Sequence, residues 1–419
     1  MSDVIEHFVE DARGVSIEAA AQQIGLVFTR RRAEHAQPCP NCGGKDTFAF
    51  NTEKNAWNCR HGGVGGRDAI GMAAHCLDLD LNRRDGFLEA CSAVLGQPIP
   101  DEGERESDTD RAARLARIED RRRVNAVEAA QREASQADFR ERERERARGI
   151  YAHAEPHSSK AGKIASRYLL GRGVDLWSDN TSAIDRWIRA TASLTYWHGQ
   201  DEAGRPVDLY SGPAMVLPFL APDLTIIGCH QTWIDLGRPP KLRPVLADPE
   251  TGELLPTKKM RGSKKGGLIP LCGDPGARRW VGAEGIENTL AFAGWEDFRP
   301  DTFYFAAGDL GNLSGSADPA SRFAHPELTK TDRRGRTRPV MVAGPAPLVT
   351  GEADSIWVAD HVDELVLLAD GDSERVMTAA AMARAKARHA RAGRRIFVVW
   401  PKRGMDLSEI ARQLESEND

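Results

Sequence analysis

Long apolar runs are missing from this chain of 419 residues, and so is a basic leader with an apolar core, since it starts MSDVIEHFVEDARG. No stretch approaches the roughly 18 uninterrupted apolar residues of a membrane helix. The expectation is a cytoplasmic protein with no membrane partner. An excess of one charge is also missing: 57 Lys and Arg stand against 62 Asp and Glu, a net of −5, with 41% hydrophobic residues. A polycationic coat and a disordered acidic chain are both excluded. No G-x-x-x-x-G-K-[ST] occurs, which leaves a fused helicase motor without its phosphate loop. The cysteine count is seven, an odd number in a chain with no export signal. Free thiols or metal ligands are therefore expected in place of a disulfide framework.

At roughly 150 residues per domain the length implies two or three domains. Residues 101–150 hold 14 acidic and 13 basic residues, including RERERERAR. Apolar residues are too sparse there for a core, and Arg, Glu and Ala favour helix, so an exposed helical linker is expected. It separates an N-terminal α+β module, residues 1–100, from a larger body. Within that body, residues 151–275 mix strand-like runs (AMVLPFL, LTIIGCHQTWI) with turns, as a mixed α+β subdomain would. Residues 276–419 alternate strand and helix: RRWVGA, IENTLAFAG, TFYFAAG, ELVLLAD, ERVMTAAAMARAKARHARAG, RRIFVVWP, LSEIARQL. Such alternation predicts an α/β fold with a mostly parallel sheet. A stretch at about 314–360, rich in Gly, Pro, Ser and Asp, interrupts the pattern as an insertion.

Cys39-Pro-Asn-Cys42 is a C-x2-C knuckle, and Cys59-Arg60-His61-Gly62-Gly63 follows sixteen residues later. Two pairs of soft ligands at this separation suit one tetrahedral zinc. Gly62 stands where a second C-x2-C would have its cysteine, so His61 is read as the fourth ligand, with His35 and His75 in reserve. Four protein ligands make such a zinc structural. Phe48, Phe50 and Trp57, interleaved with Lys45, Lys54 and Arg60, either present a base-stacking surface to single-stranded nucleic acid or pack the small core. Cys76, Cys91, Cys229 and Cys272 read as core residues.

Strand-end acids mark the second half. RRWVGAEGIE ends a strand with Glu284, ELVLLADGD ends another with Asp370 and Asp372, and IFVVWPKRGMD ends a third with Asp406. In open parallel sheets the functional crevice lies at the carboxyl ends of the strands. Mutually repelling oxygen ligands select Mg²⁺ or Mn²⁺, the ions used for in-line displacement at phosphorus. Glu287, one turn into its helix, is the less certain of these acids: its carboxylate either joins them or simply caps that helix or faces solvent. Eight Lys or Arg against three acids lie between Arg238 and Lys265, and KKMRGSKKGG reads as a flexible phosphate-holding loop. His230, which ends an apolar run, either lines the same cleft or belongs to the core.

EGIE, AAGDLGNL, ADGD and GMD, in this order, resemble the Toprim domain of DnaG-type primases, type IA and II topoisomerases and certain nucleases. SRYLLGRGV (166–174) resembles the opening signature of a DnaG-type catalytic core, and AMVLPFL…IIGCHQTWIDL its strand pair. The knuckle stands where such primases carry a zinc module, and the whole is most similar to the compact primases of phages, plasmids and integrated elements. The resemblance implies a zinc module, a helical linker, a primase-core subdomain and a Rossmann-like Toprim domain. It implies Glu284, Asp370 and Asp372 as magnesium ligands and catalytic groups, with Asp406 as a further one. It implies Arg172, His230, Arg243, Lys258, Lys259, Arg261 and Lys264 as substrate and nucleic-acid contacts. The expected activity is synthesis of short RNA primers from ribonucleoside triphosphates on a single-stranded DNA template, with Zn²⁺ structural and Mg²⁺ or Mn²⁺ catalytic. Thirteen residues follow Asp406, so a replicative helicase, where one is needed, is expected to be a separate chain. The alternatives are a Toprim nuclease and a non-enzymatic single-strand-binding zinc protein of a mobile element. The five tyrosines offer no recognisable strand-passage nucleophile.

Overall fold

The computed structural model describes residues 3–28, 33–100, 108–174, 186–201, 204–331, 337–349, 354–402, 404, 405, 407 and 409–411. These form a mixed α/β structure with several sheets. Two compact units divide it: residues 1–137 with 328–339, and residues 138–327 with 340–419.

In the first unit, α1 (Asp3–Arg13) and α2 (Ile17–Gln23) precede an antiparallel sheet of β1 (Glu34–Cys39), β2 (Gly43–Asn51), β3 (Ala56–Cys59) and β4 (Val64–Gly66), followed by α3 (Ala69–Leu77) and α4 (Arg84–Leu95). Ser16 caps α2 and Asp68 caps α3, each side chain accepting from a backbone N–H that the first turn leaves unpaired. Phe48, Phe50 and Trp57 are buried with Ile5, Ile17, Met72 and Cys91 in one core. The base-stacking reading of those three rings is thereby overturned: a sheet this small has one apolar face, and they fill it.

The charged stretch is helical, as expected: α5 runs Asp108–His153. Its last turns are not a solvated spacer. Ala147 and Tyr151, with Ala154 just beyond, are buried against Val216 and Cys229 of the second unit's first sheet. That sheet has the order β11-β8-β7-β6-β5 and is antiparallel throughout. Its strands are β5 (Glu155–Pro156), β6 (Arg189–Gln200), β7 (Pro206–Leu220), β8 (Ile226–Trp233) and β11 (Lys258–Gly262), with α6 (Lys160–Leu170) between β5 and β6, and β9 (Leu246–Ala247) paired to β10 (Leu254–Leu255). Its other face contributes Met215 and Leu217 to a core shared with α6. Strand pleating sends alternate residues to opposite faces, so both faces of β7 are apolar because both are covered.

The second sheet has the order β12-β14-β13-β17-β18: β12 (Ile269–Cys272), β13 (Arg279–Ala283), β14 (Thr302–Ala306), β17 (Glu364–Leu368) and β18 (Arg395–Val399). β13, β14, β17 and β18 run parallel, and β12 is antiparallel to β14. Val281, Tyr304, Val366 and Leu368 face α7 (Ile286–Trp295). Trp280, Phe303, Phe305, Leu365 and Leu367 face α9 (Arg375–His389). A side chain at Gly282 would collide with the Phe305 ring, which explains the glycine inside a central strand.

The interrupting stretch follows α8 (Leu310–Ser314) and contains a two-stranded ribbon, β15 (Phe323–Thr331) with β16 (Thr337–Val342). Two arginines of α9 hold its base. Arg384, 6% exposed, donates to the carbonyls of Gly315, Ala343 and Gly344 and to Ser314 Oγ. Arg388 donates to the carbonyls of Ser314, Ser316 and Leu348 and pairs with Asp354.

Candidate functional site

Cys39, Cys42, Cys59 and His75 each offer a ligand atom, all within 4.8 Å of one another. Three thiols and an imidazole fit tetrahedral zinc. Cys39 Sγ lies 3.3 Å and Cys42 Sγ 3.6 Å from His75 Nε2. The backbone N–H of Cys42 donates to Cys39 Sγ and that of Gly62 to Cys59 Sγ, so each turn orients one sulfur. Burial and the neighbouring Cys39 and Cys59 push the Cys42 thiol up to about 12. Burial also lowers His75, holding the imidazole neutral as a ligand must be. A divalent cation would relieve this crowding by taking the sulfurs as thiolates.

His61 is corrected by this geometry: it stands outside the cluster, whose fourth candidate ligand atom comes from His75 of α3. A Cβ at Gly62 would sit 2.8 Å from His75 Cε1 and 3.3 Å from Cys42 Sγ. A cysteine at 62 and an imidazole from 75 compete for one corner, and the glycine leaves it to the imidazole. His35, the other reserve, is buried between Phe28 and Phe50.

The second site lies in the other unit, at the carboxyl ends of β13 and β17. Glu284 follows β13 directly, and Asp370 and Asp372 follow β17. Burial first, then the charges of Asp370 and Asp372, raise the Glu284 carboxyl above its usual range. Asp370 Oδ1 accepts from Asn288 Nδ2 at 2.9 Å and Oδ2 from Ser373 Oγ at 2.8 Å, while Asp372 is exposed. The acids are spread more openly than the sulfur cluster, which is the only group among the described residues with three or more ligand atoms mutually within 4.8 Å. A side chain at Gly371 would collide with the Met405 carbonyl, and Gly404 N–H donates to the Gly371 carbonyl. The GMD segment thus closes on the DGD turn, although Asp406 itself lies outside the described residues.

Glu287 neither caps its helix nor faces solvent. It is 5% exposed, and its carboxylate accepts from Lys258 Nζ and from the Tyr168 hydroxyl of α6, both at 2.6 Å. Burial alone would raise this carboxyl, but Lys258 and Tyr168 outweigh it and hold it below its usual range. Burial and the Lys258 charge push His230 down to about 4, so its ring is neutral at pH 7. Lys258 is also felt by Glu284, and Arg172 and Arg243 by Tyr168. Lys258, Arg172, Arg243 and His230 therefore belong to one polar centre that adjoins the acids.

KKMRGSKKGG is not a flexible loop. Its first half is edge strand β11, and the pleat divides the cluster. Lys258 turns to Glu287. Lys259 and Arg261 take the opposite face, where Lys259 Nζ lies 3.4 Å from the centre of the Tyr196 ring and donates to the Trp197 carbonyl, and Arg261 pairs with Glu143 of α5. Lys264 pairs with Asp309, which caps α8. The next turn is clamped by Asn312, whose amide accepts from Gly266 N–H and donates to the Gly267 and Ala307 carbonyls. The AAGDLGNL motif thus fixes Gly266 and Gly267. Sequence reasoning held His75 only in reserve and did not foresee the buried partners of Glu287. The first signal was the glycine at 62, and the second was apolar Leu290 and Ala291, three and four residues on, which set Glu287 on an inward helix face.

A family model described as a domain of unknown function, DUF7146, matches residues 141–271. No curated protein matches the chain. Among solved structures, the chain is similar to a DnaG primase catalytic domain bound to single-stranded DNA, at 13% identity over 67% of this chain and 81% of that one, with a TM-score of 0.35. The E. coli primase catalytic core is 13% identical over 63% of this chain and 74% of that one, with a TM-score of 0.33. The RNA polymerase domain of Mycobacterium tuberculosis primase DnaG is 17% identical over 67% and 82%, with a TM-score of 0.30.

Proposed function

We propose that the chain is a primase-like nucleotidyltransferase of the Toprim type, which joins ribonucleotides on a single-stranded DNA template. The observation that carries this reading is the placement of Glu284, Asp370 and Asp372 at the carboxyl ends of adjacent parallel strands, where burial and then the charges of the two aspartates raise the Glu284 carboxyl and the Lys258 charge opposes them. Carboxylates that repel one another in a half-buried crevice fit a bound divalent cation, and an all-oxygen donor set fits Mg²⁺ or Mn²⁺. Glu284, Asp370 and Asp372 would hold it. When bound, such an ion supplies charge stabilisation for displacement at phosphorus and lowers the pKa of an attacking hydroxyl.

The chain's own groups do the rest. Glu284, with its raised pKa, accepts the proton of the attacking 3′-hydroxyl. Asn288 and Ser373 hold Asp370 in one orientation. Lys258, fixed by Glu287, which Tyr168 in turn holds, presents a positive charge to the phosphates, with Arg172 and Arg243 adding to the field. The Cys39, Cys42, Cys59 and His75 centre is structural, because its four ligands leave no open position.

The test is incubation with single-stranded DNA, labelled ribonucleotides and Mg²⁺ or Mn²⁺, beside an Asp370→Ala/Asp372→Ala variant. Primers that disappear in the variant support the reading. Cleaved DNA would make the protein a nuclease, and binding without either product would make it a non-enzymatic single-strand binder.

A further inference from the structure

The outer part of the β15–β16 ribbon, residues 328–339, belongs to the first unit. It carries five Lys or Arg and one Asp, whereas residues 1–100 carry 13 acidic and 10 basic residues. Lys330 donates through Nζ to the His61 carbonyl at 2.5 Å. That carbonyl belongs to the same planar peptide unit as the Gly62 N–H, which donates to Cys59 Sγ at 3.2 Å. One peptide therefore joins a sulfur of the cluster to a lysine of the ribbon. Beside it lies a cavity of about 260 Å³, lined by Cys42, His61, His75 and Asp78 of the module and by Lys330 and Arg338 of the ribbon. Cys39 and Cys59 are buried, while Cys42 and His75 are only partly so. The two candidate ligands that solvent reaches thus open into a cavity that the ribbon's cations share.

We propose that the ribbon tip is a zinc-dependent clasp on the knuckle: Lys330 and Arg338 bind the loaded cluster and shield it from solvent, and they release it when the metal leaves. The clasp goes beyond the structural role assigned above and rests only on the zinc reading of that centre. Zinc held by three cysteines and a histidine takes the sulfurs as thiolates, releases their protons to solvent and leaves one net negative charge. An acidic module thus gains negative charge on loading, and a cationic segment is its complement. Ligation also makes Cys59 a thiolate, which is a stronger acceptor for the Gly62 N–H. Hydrogen bonds in series polarise one another, so the carbonyl of the same peptide becomes a stronger acceptor for Lys330. Zinc further fixes the Cys59–Gly62 turn, and with it the direction of that carbonyl. His61, which contributes no ligand atom to the cluster, acts here through its backbone. Asn41 holds the module's side of the cavity, donating to the His75 carbonyl at 3.0 Å and to Asp78 Oδ1 at 3.1 Å.

The experiment is hydrogen exchange of the full chain, read by mass spectrometry on peptides covering 328–339, before and after zinc is stripped with the neutral chelator TPEN. The proteins are the parent, Lys330→Gln/Arg338→Gln, and Lys330→Arg/Arg338→Lys, which keeps both charges. Both side chains are exposed, so neither variant removes core packing. Stripping zinc is expected to speed exchange in the parent's ribbon peptides by about fivefold, the worth of one good exposed charge contact. The glutamine variant is expected to exchange at the fast rate with zinc bound and to yield its zinc to TPEN about fivefold faster, by elemental analysis. The charge-keeping variant is expected to follow the parent, and the difference is expected to shrink in about 1 M salt, where the Debye length is about 3 Å. Ribbon exchange that ignores zinc, or equal zinc loss from the parent and the glutamine variant, overturns the clasp. Protection that depends on protein concentration overturns it too, by giving the surface to a second copy. A parent that binds no zinc removes the clasp together with the zinc reading, whereas a zinc-loaded parent with an unprotected ribbon removes the clasp alone.

Discussion

Lys258 and Glu287 form an ion pair 2.6 Å long between an edge strand and a helix 29 residues further along the chain, with the carboxylate buried and Tyr168 donating to the same oxygen. Removing one partner strands the other. Glu287→Ala is expected to cost about 3 kcal/mol in urea unfolding, and Lys258→Met slightly less because the ammonium is partly solvated. The double variant is expected to cost less than the sum, and additivity in that cycle would show that the pair is not coupled.

The same pair sets a pH dependence. The folded-state pKa of Glu287 lies below the ordinary 4.5, so its stabilisation is fully present above about pH 4.5 and is lost as pH falls below it. The stability gap between the parent and Glu287→Gln is expected to narrow on acidification below pH 4.5, measured by denaturant titration. A gap constant from pH 7 to 3 would contradict the ion pair.

Glu284 has the opposite sign. Its folded pKa is raised above 4.5, so the folded state holds the proton longer and stability falls as pH rises through that window. In metal-free protein at pH 7, Glu284→Gln is expected to raise the melting temperature by a few degrees, about 1 kcal/mol or less. Adding Mg²⁺ is expected to stabilise the parent and not the variant. A destabilised variant in the absence of metal would remove the like-charge crowding on which the reading depends.

Zinc content discriminates the two histidines. The parent is expected to carry about one zinc per chain. His75→Ala or Cys42→Ser is expected to lose it and His61→Ala to keep it, measured by elemental analysis. Because Gly62 yields its corner to His75, Gly62→Cys added to His75→Ala is expected to regain zinc. Loss in His61→Ala with retention in His75→Ala would reverse the assignment.

Arg384 ties the interrupting segment to α9 through four hydrogen bonds. Arg384→Met leaves the buried Gly315 and Gly344 carbonyls, the Ala343 carbonyl and the Ser314 hydroxyl without this donor, so a loss of about 3–5 kcal/mol is expected in equilibrium unfolding. A loss under about 1 kcal/mol would show the segment is held by other means.

What was legible in the sequence follows physical range. RRWVGA, TFYFAAG, ELVLLAD and RRIFVVWP read correctly as strands because buried parallel strands are continuous apolar runs with local turn signals. The strand-end acids followed from that alternation. KKMRGSKKGG read as a loop because glycine and lysine depress strand propensity, whereas pairing of Lys258–Gly262 with Gly228–Thr232 makes it an edge strand. The candidate ligand His75 lies on a helix beyond the second knuckle, where no spacing rule points. Glu287 looked solvated because its partners, Tyr168 and Lys258, come from distant segments.

The central claim is nucleotidyl transfer at Glu284, Asp370 and Asp372, and incorporation of a labelled ribonucleotide on single-stranded DNA in Mg²⁺ or Mn²⁺ tests it most directly. The parent is expected to extend a primer strand, and Glu284→Gln, whose fold is retained, to do so at least about 100-fold more slowly. Equal rates in the two proteins, or no incorporation by a parent that binds both zinc and single-stranded DNA, would contradict it.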